Sequence, residues 1–189
     1  VLNVSPESFY GGSIHTSLDQ LIKAAETQVN EGADLLDLGA MSTAPYLKTH
    51  ISEAQETDRL AQAIEAIASR IPIPISADTK RAPVAQAALA AGARIVNDVS
   101  GLKNDTAMAD LVAKSGAGVI IMASEPSPGS GSPLVRITQA LAESVQIASR
   151  AGIPQDRIVL DPGIGFFRQP EISWHTWDCI VLRELSHFR

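Results

Sequence analysis

Residues 158–166 read Ile-Val-Leu-Asp-Pro-Gly-Ile-Gly-Phe, an apolar run that ends in a carboxylate and then breaks on proline and glycine. Such a run, bounded by turn residues, is typical of a short buried strand. The strand would carry Asp161 to its C-terminal end. Ligands of α/β proteins bind at that end of the strands. The residues at the ends of the other strands therefore decide what the protein can bind.

The same alternation of strand and helix recurs along the whole chain. Helix boundaries are marked by a capping box at Ser52 and Gln55, by Pro133 at a helix start and by Gly152 at its end. The five earlier strands are predicted at residues 1–4, 33–39, 73–77, 94–98 and 117–122. Strands that alternate with helices indicate parallel pairing through crossover connections.

Six strand–helix units fit either an open doubly wound sheet or a (β/α)8 barrel without its last two units. A complete barrel needs about 250 residues, and this chain has 189. No G-x-G-x-x-G follows the first strand, which disfavours a dinucleotide-binding doubly wound fold. We predict an α/β fold of the TIM-type barrel class with about six units present. Residues 1–189 would form one incomplete barrel domain that lacks the start of its first strand and the last two units.

Composition excludes several classes of function. The net charge is −6 without a basic run, so we expect no nucleic-acid partner. No apolar run reaches membrane-spanning length, so we expect no membrane partner. The single cysteine, Cys179, fits a reducing compartment, and we expect a cytoplasmic protein. The four histidines share no ligand spacing, so we expect them to lie on the surface or on helices.

Almost every predicted strand ends in a carboxylate or a carboxamide. The end residues are Asn3, Asp37, Asp78, Asn97 with Asp98, Met122 and Asp161. In a barrel they would converge on one mouth. They could recognise a ligand edge rich in N–H donors, such as an aminopyrimidine. They could instead hold Mg²⁺ or act as acid and base. Each one could also merely cap a helix or turn, above all Asp37 and Asp98.

Five segments, in order and spread over the chain, resemble the motifs of dihydropteroate synthases. The family motifs N-V-T-P-D-S-F, D-I-G-G-E-S-T-R-P, I-S-V-D-T, I-I-N-D-I-S-G and D-P-G-F-G-F correspond to residues 3–9, 37–45, 75–79, 95–101 and 161–166. One such match would be weak evidence, whereas five in sequence are strong. The chain resembles the pterin-binding barrel superfamily, and its second loop is similar to that of divergent archaeal members.

The resemblance implies which residues hold a pterin. Asp78, Asn97 and Asp161 match the residues that bind the pterin ring, and they are the candidate catalytic residues. Met122 matches a residue that packs near the ring, and Phe166 falls in the loop beside the pocket. An aminopyrimidine edge is what a pterin presents, so the resemblance and the strand-end residues favour the same ligand.

The resemblance also implies a second substrate and a metal. Asn3 matches a contact to an Mg²⁺-diphosphate group, and Ser42, Thr43 and Pro45 fall in the loop that closes over the diphosphate and p-aminobenzoate. The family reaction is a transfer in folate or methanopterin biosynthesis. In it, the amine of p-aminobenzoate or an analogue displaces diphosphate from a hydroxymethyl-dihydropterin. Family members are commonly dimers, so we expect a homodimer.

Several positions depart from the family pattern and keep two alternatives open. Met41 and Ala44 stand where synthases have Glu and Arg, Phe167 replaces a glycine, and Ala123 replaces a histidine. A methyltransferase that moves a methyl group from a reduced pterin to a corrinoid protein would need the pterin residues but no diphosphate cations. A pterin-binding relative without catalysis is the other alternative.

Overall fold

The computed structural model describes residues 1–4, 18–41, 51–125, 127, 130–167 and 172–188. Its strands form one parallel sheet in which sequence order is also spatial order. The strands are β1 (Leu2–Asn3), β2 (Leu36–Gly39), β3 (Ile75–Asp78), β4 (Ile95–Asp98), β5 (Gly118–Met122) and β6 (Ile158–Asp161).

A helix follows each strand. The helices are α1 (Leu18–Asn30), α2 (Glu53–Ala68), α3 (Ala82–Ala90), α4 (Met108–Ser115), α5 (Pro133–Ala151) and α6 (Trp174–Arg183). Short 3₁₀ turns span Gln155–Arg157 and Leu185–Phe188. The capping box predicted at Ser52 and Gln55 is present at the start of α2, and Pro133 begins α5.

The unbroken strand order from β1 to β6 confirms the predicted α/β class. A doubly wound sheet reverses its order where the chain returns to the middle of the sheet. Here every strand pairs with its neighbour in sequence through a helical connection, as in the wall of a (β/α)8 barrel. The TIM-type prediction is therefore also confirmed.

Side-chain alternation along the strands separates the core from the site. Leu36 and Leu38 are fully buried in a core cluster shared with helices α1 and α2. Asp37 and Gly39 lie on the opposite face of the same strand, because successive residues of a strand point to opposite faces. Asp37 and Gly39 thus face away from the helix-side core.

The region around α6 differs from the sequence prediction. The spacing of Trp174, Trp177, Val181, Leu185 and Phe188 predicts one helix with a single apolar stripe, but the helix ends at Arg183 and Trp174 is 45% exposed. Trp177 is buried, as the stripe predicts, and it stacks on Phe167 with ring centroids 5.0 Å apart. The guanidinium of Arg136 lies 4.7 Å from the centroid of the Trp177 ring. No helix in the described ranges is both long and apolar enough to cross a membrane.

Candidate functional site

Three neighbouring strands bring Asn3, Gly39 and Asp78 together. Gly39 pairs with Asn3 on one side and with Asp78 on the other. A Cβ atom built on Gly39 would lie 3.3 Å from both Asn3 Oδ1 and Asp78 Oδ2. Such contacts are tighter than ordinary van der Waals packing, so the absence of a side chain at Gly39 lets both oxygens lie close to its backbone.

Asp37, one layer deeper in β2, connects two further strands. Its Oδ1 accepts a 2.5 Å hydrogen bond from the Ser76 hydroxyl of β3. Asn97 Nδ2 of β4 lies 3.3 Å from each of the two Asp37 oxygens. Asp37 therefore orients the side chain of Asn97, which is one of the predicted pterin residues.

The other end of the Asn97 amide is free to act on a ligand. Asn97 Oδ1 is shielded from solvent and accepts no hydrogen bond from the described residues. A buried polar atom without a partner costs about 1–3 kcal/mol. Because Asn97 Nδ2 already donates to Asp37, the atom that remains for a ligand is Oδ1, which is a hydrogen-bond acceptor. A ligand that donates an N–H there would satisfy it.

Burial governs the electrostatics of Asp37. Desolvation raises the pKa of the Asp37 carboxyl, and the negative charge of Asp161 raises this pKa further. Hydrogen bonds from Ser76 and Asn97 act in the opposite direction because they stabilise the carboxylate. Asp161 thus acts electrostatically on Asp37 across the site, although the two lie on strands β6 and β2.

The end of β6 forms the turn predicted from the Asp-Pro-Gly sequence. Asp161 Oδ1 accepts a 2.8 Å hydrogen bond from the Gly163 backbone N–H. Gly163 has φ of 75°, a left-handed conformation that favours glycine. A Cβ atom there would lie 3.3 Å from Met122 Cγ and from the Phe167 ring. The turn therefore packs against Met122 at the neighbouring strand end, where Met122 pairs with Asp161.

Asp98 has a structural role, in line with the alternative considered for it. Its carboxylate accepts hydrogen bonds from the backbone N–H groups of Ser100 at 2.8 Å and Leu102 at 3.1 Å, and from the Ser100 hydroxyl at 2.6 Å. It is fully buried. Burial raises the pKa of Asp98, and these donors oppose the rise. Asp98 shapes the loop after β4, whereas Asn97 faces the site.

The predicted site residues of the second loop and of the turn after β6 differ in whether the structure describes them. Ser42, Thr43 and Pro45 lie outside the described residues, as does Ala44. Phe166 lies half-buried in the turn after β6, and its N–H donates to the carbonyl of Gly163. Within the described ranges, no three His, Cys, Asp or Glu side chains are grouped so that they could hold a metal ion. The oxygens of Asn3 and Asp78 beside Gly39 are of the type that Mg²⁺ prefers.

Sequence reasoning missed two contributors to the site. The sequence identifies Asp37 as a strand end without a predicted binding role, and it does not single out Ser76. Strand periodicity could have found both, because Ser76 and Asp78 share a face of β3 and Asp37 pairs with Ser76. Gly39 falls within the second motif, and its role as a spacer follows only from the register of β1, β2 and β3.

Comparisons with known proteins find a matching family model and several similar proteins. A family model described as "Pterin binding enzyme" matches residues 1–188. Dihydropteroate synthase of Bacillus subtilis strain 168 is 39% identical over 166 residues, and that of Clostridium beijerinckii is 36% identical over 166 residues. Each alignment covers 88% of this chain, but only 58% and 61% of the respective relative.

A solved structure shows the same likeness in three dimensions. The dihydropteroate synthase of Clostridium difficile, crystallised in the presence of pteroic acid, superposes with a TM-score of 0.87 at 35% sequence identity. The superposition covers 99% of this chain and 69% of that structure. The similarity therefore includes the strands that carry the site.

Proposed function

The chain belongs to the family of pterin-binding enzymes, and we propose that it is the pterin-binding part of a dihydropteroate synthase. Its reaction joins hydroxymethyl-dihydropterin diphosphate to p-aminobenzoate in folate-type biosynthesis. Relatives at 39% and 36% identity that carry this name support the proposal. Because the chain spans 58% and 61% of their lengths, the activity is assigned to the full-length protein.

The acceptor at Asn97 Oδ1 is the observation that supports this function best. It is buried and accepts no hydrogen bond from the described residues, and Asp161 and Asp78 carry carboxylates at nearby strand ends. All three groups can accept hydrogen bonds from N–H donors. An aminopyrimidine edge presents several such donors side by side. A pterin ring bound by Asp78, Asn97 and Asp161 would satisfy the site, with Met122 and Phe166 packing against the ring.

The reaction needs orientation more than acid–base chemistry. The amine nitrogen of p-aminobenzoate forms a bond to the methylene carbon of the pterin, the bond from that carbon to the diphosphate oxygen breaks, and the amine loses a proton. The electron pair of the broken bond leaves with diphosphate. By holding the ring, the strand-end residues would place the methylene carbon for attack, and orientation of this kind lowers the barrier substantially.

Diphosphate departure would be assisted by Mg²⁺ held at Asn3. Asn3 Oδ1 and Asp78 Oδ2 lie on either side of Gly39, and both are hard oxygen donors. Mg²⁺ commonly uses one or two protein oxygens together with substrate phosphates. When bound, the ion would supply positive charge to the leaving group. We place Ser42, Thr43 and Pro45 at the second substrate by resemblance.

Membership of the pterin-binding family also supports a proposal for the domain and for its assembly. We propose that residues 1–189 form a pterin-binding barrel domain of a cytoplasmic homodimer. Exposed apolar side chains on and just after α6, Leu182 at 55% and Leu185 at 46%, support a further packing surface in the whole protein. Sedimentation of the full-length protein would measure the assembly, and a monomer at micromolar concentration would contradict the dimer.

Two measurements on the full-length protein test the function. Calorimetry with 6-hydroxymethylpterin should show binding, and incubation with the dihydropterin diphosphate and p-aminobenzoate in Mg²⁺ buffer should yield dihydropteroate. Pterin binding without this product, together with methyl transfer from a reduced pterin to a corrinoid protein, would overturn the synthase assignment. Absence of any pterin binding would overturn the site itself.

A further inference from the structure

We propose that Asp37 is a positioning residue that sets the direction of the Asn97 side-chain amide, so that Asn97 meets its ligand as a hydrogen-bond acceptor. The proposal rests on the proposed pterin site. It assigns a role to a carboxylate that the strand-end pattern alone left as a possible cap. The direction of the amide also determines which ligands are selected, because an Asn97 amide turned the other way would present a hydrogen-bond donor to the ligand.

The direction follows from what a carboxylate can do. An ionised carboxylate only accepts hydrogen bonds. Both Asp37 oxygens lie 3.3 Å from Asn97 Nδ2, so the amide nitrogen can donate to them. If the amide were turned by half a rotation, Asn97 Oδ1 would face two negatively charged oxygens at that distance. This arrangement would be repulsive and would leave the N–H groups pointing into the site.

Ser76 holds the Asp37 carboxylate in the position from which it orients the Asn97 amide. Its hydroxyl donates to Asp37 Oδ1 at 2.5 Å, and Ser76 is fully buried in β3 directly opposite Asp37. A residue whose partners are themselves held by the fold is pre-organised. The chain of contacts from Ser76 through Asp37 to Asn97 crosses three neighbouring strands and ends at the free acceptor.

The direction of the Asn97 amide depends on whether Asp37 is protonated. Burial and the nearby Asp161 raise the pKa of Asp37, whereas the Ser76 and Asn97 hydrogen bonds lower it. Protonation of Asp37 would place a donor next to the Asn97 amide and remove the reason for its direction. The titration of Asp37 should therefore be visible at the Asn97 side chain.

The consequence for the ligand is a requirement for an N–H at one position. Asn97 Oδ1, being shielded from solvent, discriminates strongly, since an unsatisfied buried acceptor costs about 1–3 kcal/mol. A pterin that donates there should bind. A deaza analogue that replaces the donating N–H with C–H should lose most of its affinity.

The variant Asp37→Asn tests the role, because it keeps the size of the side chain and removes the acceptor-only character. In the full-length protein, we expect 6-hydroxymethylpterin to bind at least about tenfold more weakly. The preference over the analogue that lacks the donor should shrink in the same variant. Asp34→Asn is the matched control, since Asp34 is exposed just before β2 and its replacement should leave both values unchanged.

Nuclear magnetic resonance of the side-chain amides separates positioning from a general structural effect. The Asn97 signals are identified as the pair that disappears in Asn97→Asp. In the wild-type protein this pair should shift as pH passes through the pKa of Asp37, and in Asp37→Asn the shift should vanish. A titration that persists in Asp37→Asn, or unchanged pterin affinity and preference in that variant, would overturn the proposal.

The same experiments keep this proposal distinct from the proposed function. If the wild-type protein fails to bind pterin, the function is wrong, and the amide titration still decides whether Asp37 directs Asn97. If the wild-type protein binds pterin and Asp37→Asn binds it equally well, the function stands and the positioning role is wrong.

Discussion

Thr79 donates a buried 2.7 Å hydrogen bond to Glu56, linking the end of β3 to the first turn of α2. The second oxygen of Glu56 accepts a 2.7 Å bond from the Arg81 guanidinium, which also donates to the carbonyl of Ile51. Glu56 is only 1% exposed. One carboxylate thus satisfies two residues of the loop that follows Asp78, and its loss would leave both without their partner.

Glu56→Ala should lower the free energy of unfolding by roughly 3 kcal/mol, the low end of the cost of breaking a buried ion pair, because Arg81 keeps partial access to water. Urea denaturation of the full-length protein measures this loss. Glu65→Ala on the exposed face of the same helix is the control and should change stability by less than about 0.5 kcal/mol. Equal effects of the two substitutions would contradict the role of Glu56.

Gly39→Ala should weaken pterin binding by on the order of 1 kcal/mol, because the added methyl group pushes apart Asn3 and Asp78. Gly118→Ala is the matched control in β5, since its Cβ would meet neighbours at 3.4 Å or more. Calorimetric titration with 6-hydroxymethylpterin compares the two variants. If Gly39→Ala binds as tightly as Gly118→Ala, the spacing of Asn3 and Asp78 does not matter for the ligand.

Asp161→Asn should cost at least about 1 kcal/mol of pterin affinity, the value expected for loss of a charge-assisted hydrogen bond. The amide keeps an oxygen that can accept from Gly163 N–H, so the turn after β6 should persist. Asp156→Asn in the exposed 3₁₀ turn before β6 controls for charge. Calorimetric titration with 6-hydroxymethylpterin measures the affinity of both variants. Unchanged affinity in Asp161→Asn would show that Asp161 does not bind the pterin.

Gly101→Ala should destabilise the protein more than Gly152→Ala, although both glycines have positive φ, 68° and 84°. Each alanine costs about 1 kcal/mol for its left-handed backbone. At Gly101 the new methyl group would also lie 2.6 Å from Ser144 Oγ and 2.8 Å from the Met122 carbonyl oxygen, whereas at Gly152 nothing lies within 4 Å. An added cost of about 1–3 kcal/mol is expected. Thermal unfolding of both variants measures the difference, which should vanish if the loop after β4 can move away.

The difference in unfolding free energy between wild type and Asp37→Asn should decrease as pH rises. Burial raises the pKa of Asp37 in the folded state above its value of 3.8 in the unfolded chain. Between these two pKa values the folded state binds more protons, so the contribution of Asp37 to stability falls with rising pH. The raised pKa of Asp98 acts in the same direction but is common to both proteins. Urea denaturation across this interval checks the sign, and a difference that grew with pH would contradict it.

Much of the fold could be predicted because its signals are local. Alternating apolar runs and helix caps predicted six strand–helix units, and the start of α2 at its capping box was placed correctly. Strand lengths were less accurate. Predicted strands began at residues 33 and 73, whereas β2 begins at Leu36 and β3 at Ile75, because apolar residues before a strand also pack in the core, as Ala33 and Ile73 do.

The site was predicted less completely because its roles depend on register. Asp37 and Asp98 looked alike in sequence, and both were considered possible caps. The structure turns Asp98 back onto its own loop and directs Asp37 toward Asn97. Only the pairing of β2, β3 and β4 separates the two, and sequence gives no direct measure of that pairing. The stacking of Phe167 on Trp177 likewise joins elements that sequence alone could not bring together.

The unbroken order of the strands has a consequence for how the protein assembles. Each of the proposed pterin ligands Asp78, Asn97 and Asp161 comes from a different strand, so the pocket exists only after several neighbouring units have docked in register. A bound ligand would then act as a non-covalent cross-link between units that otherwise contact mainly their immediate neighbours. Partly folded chains would lack affinity, and ligand occupancy would favour chains in which all of these units are in place.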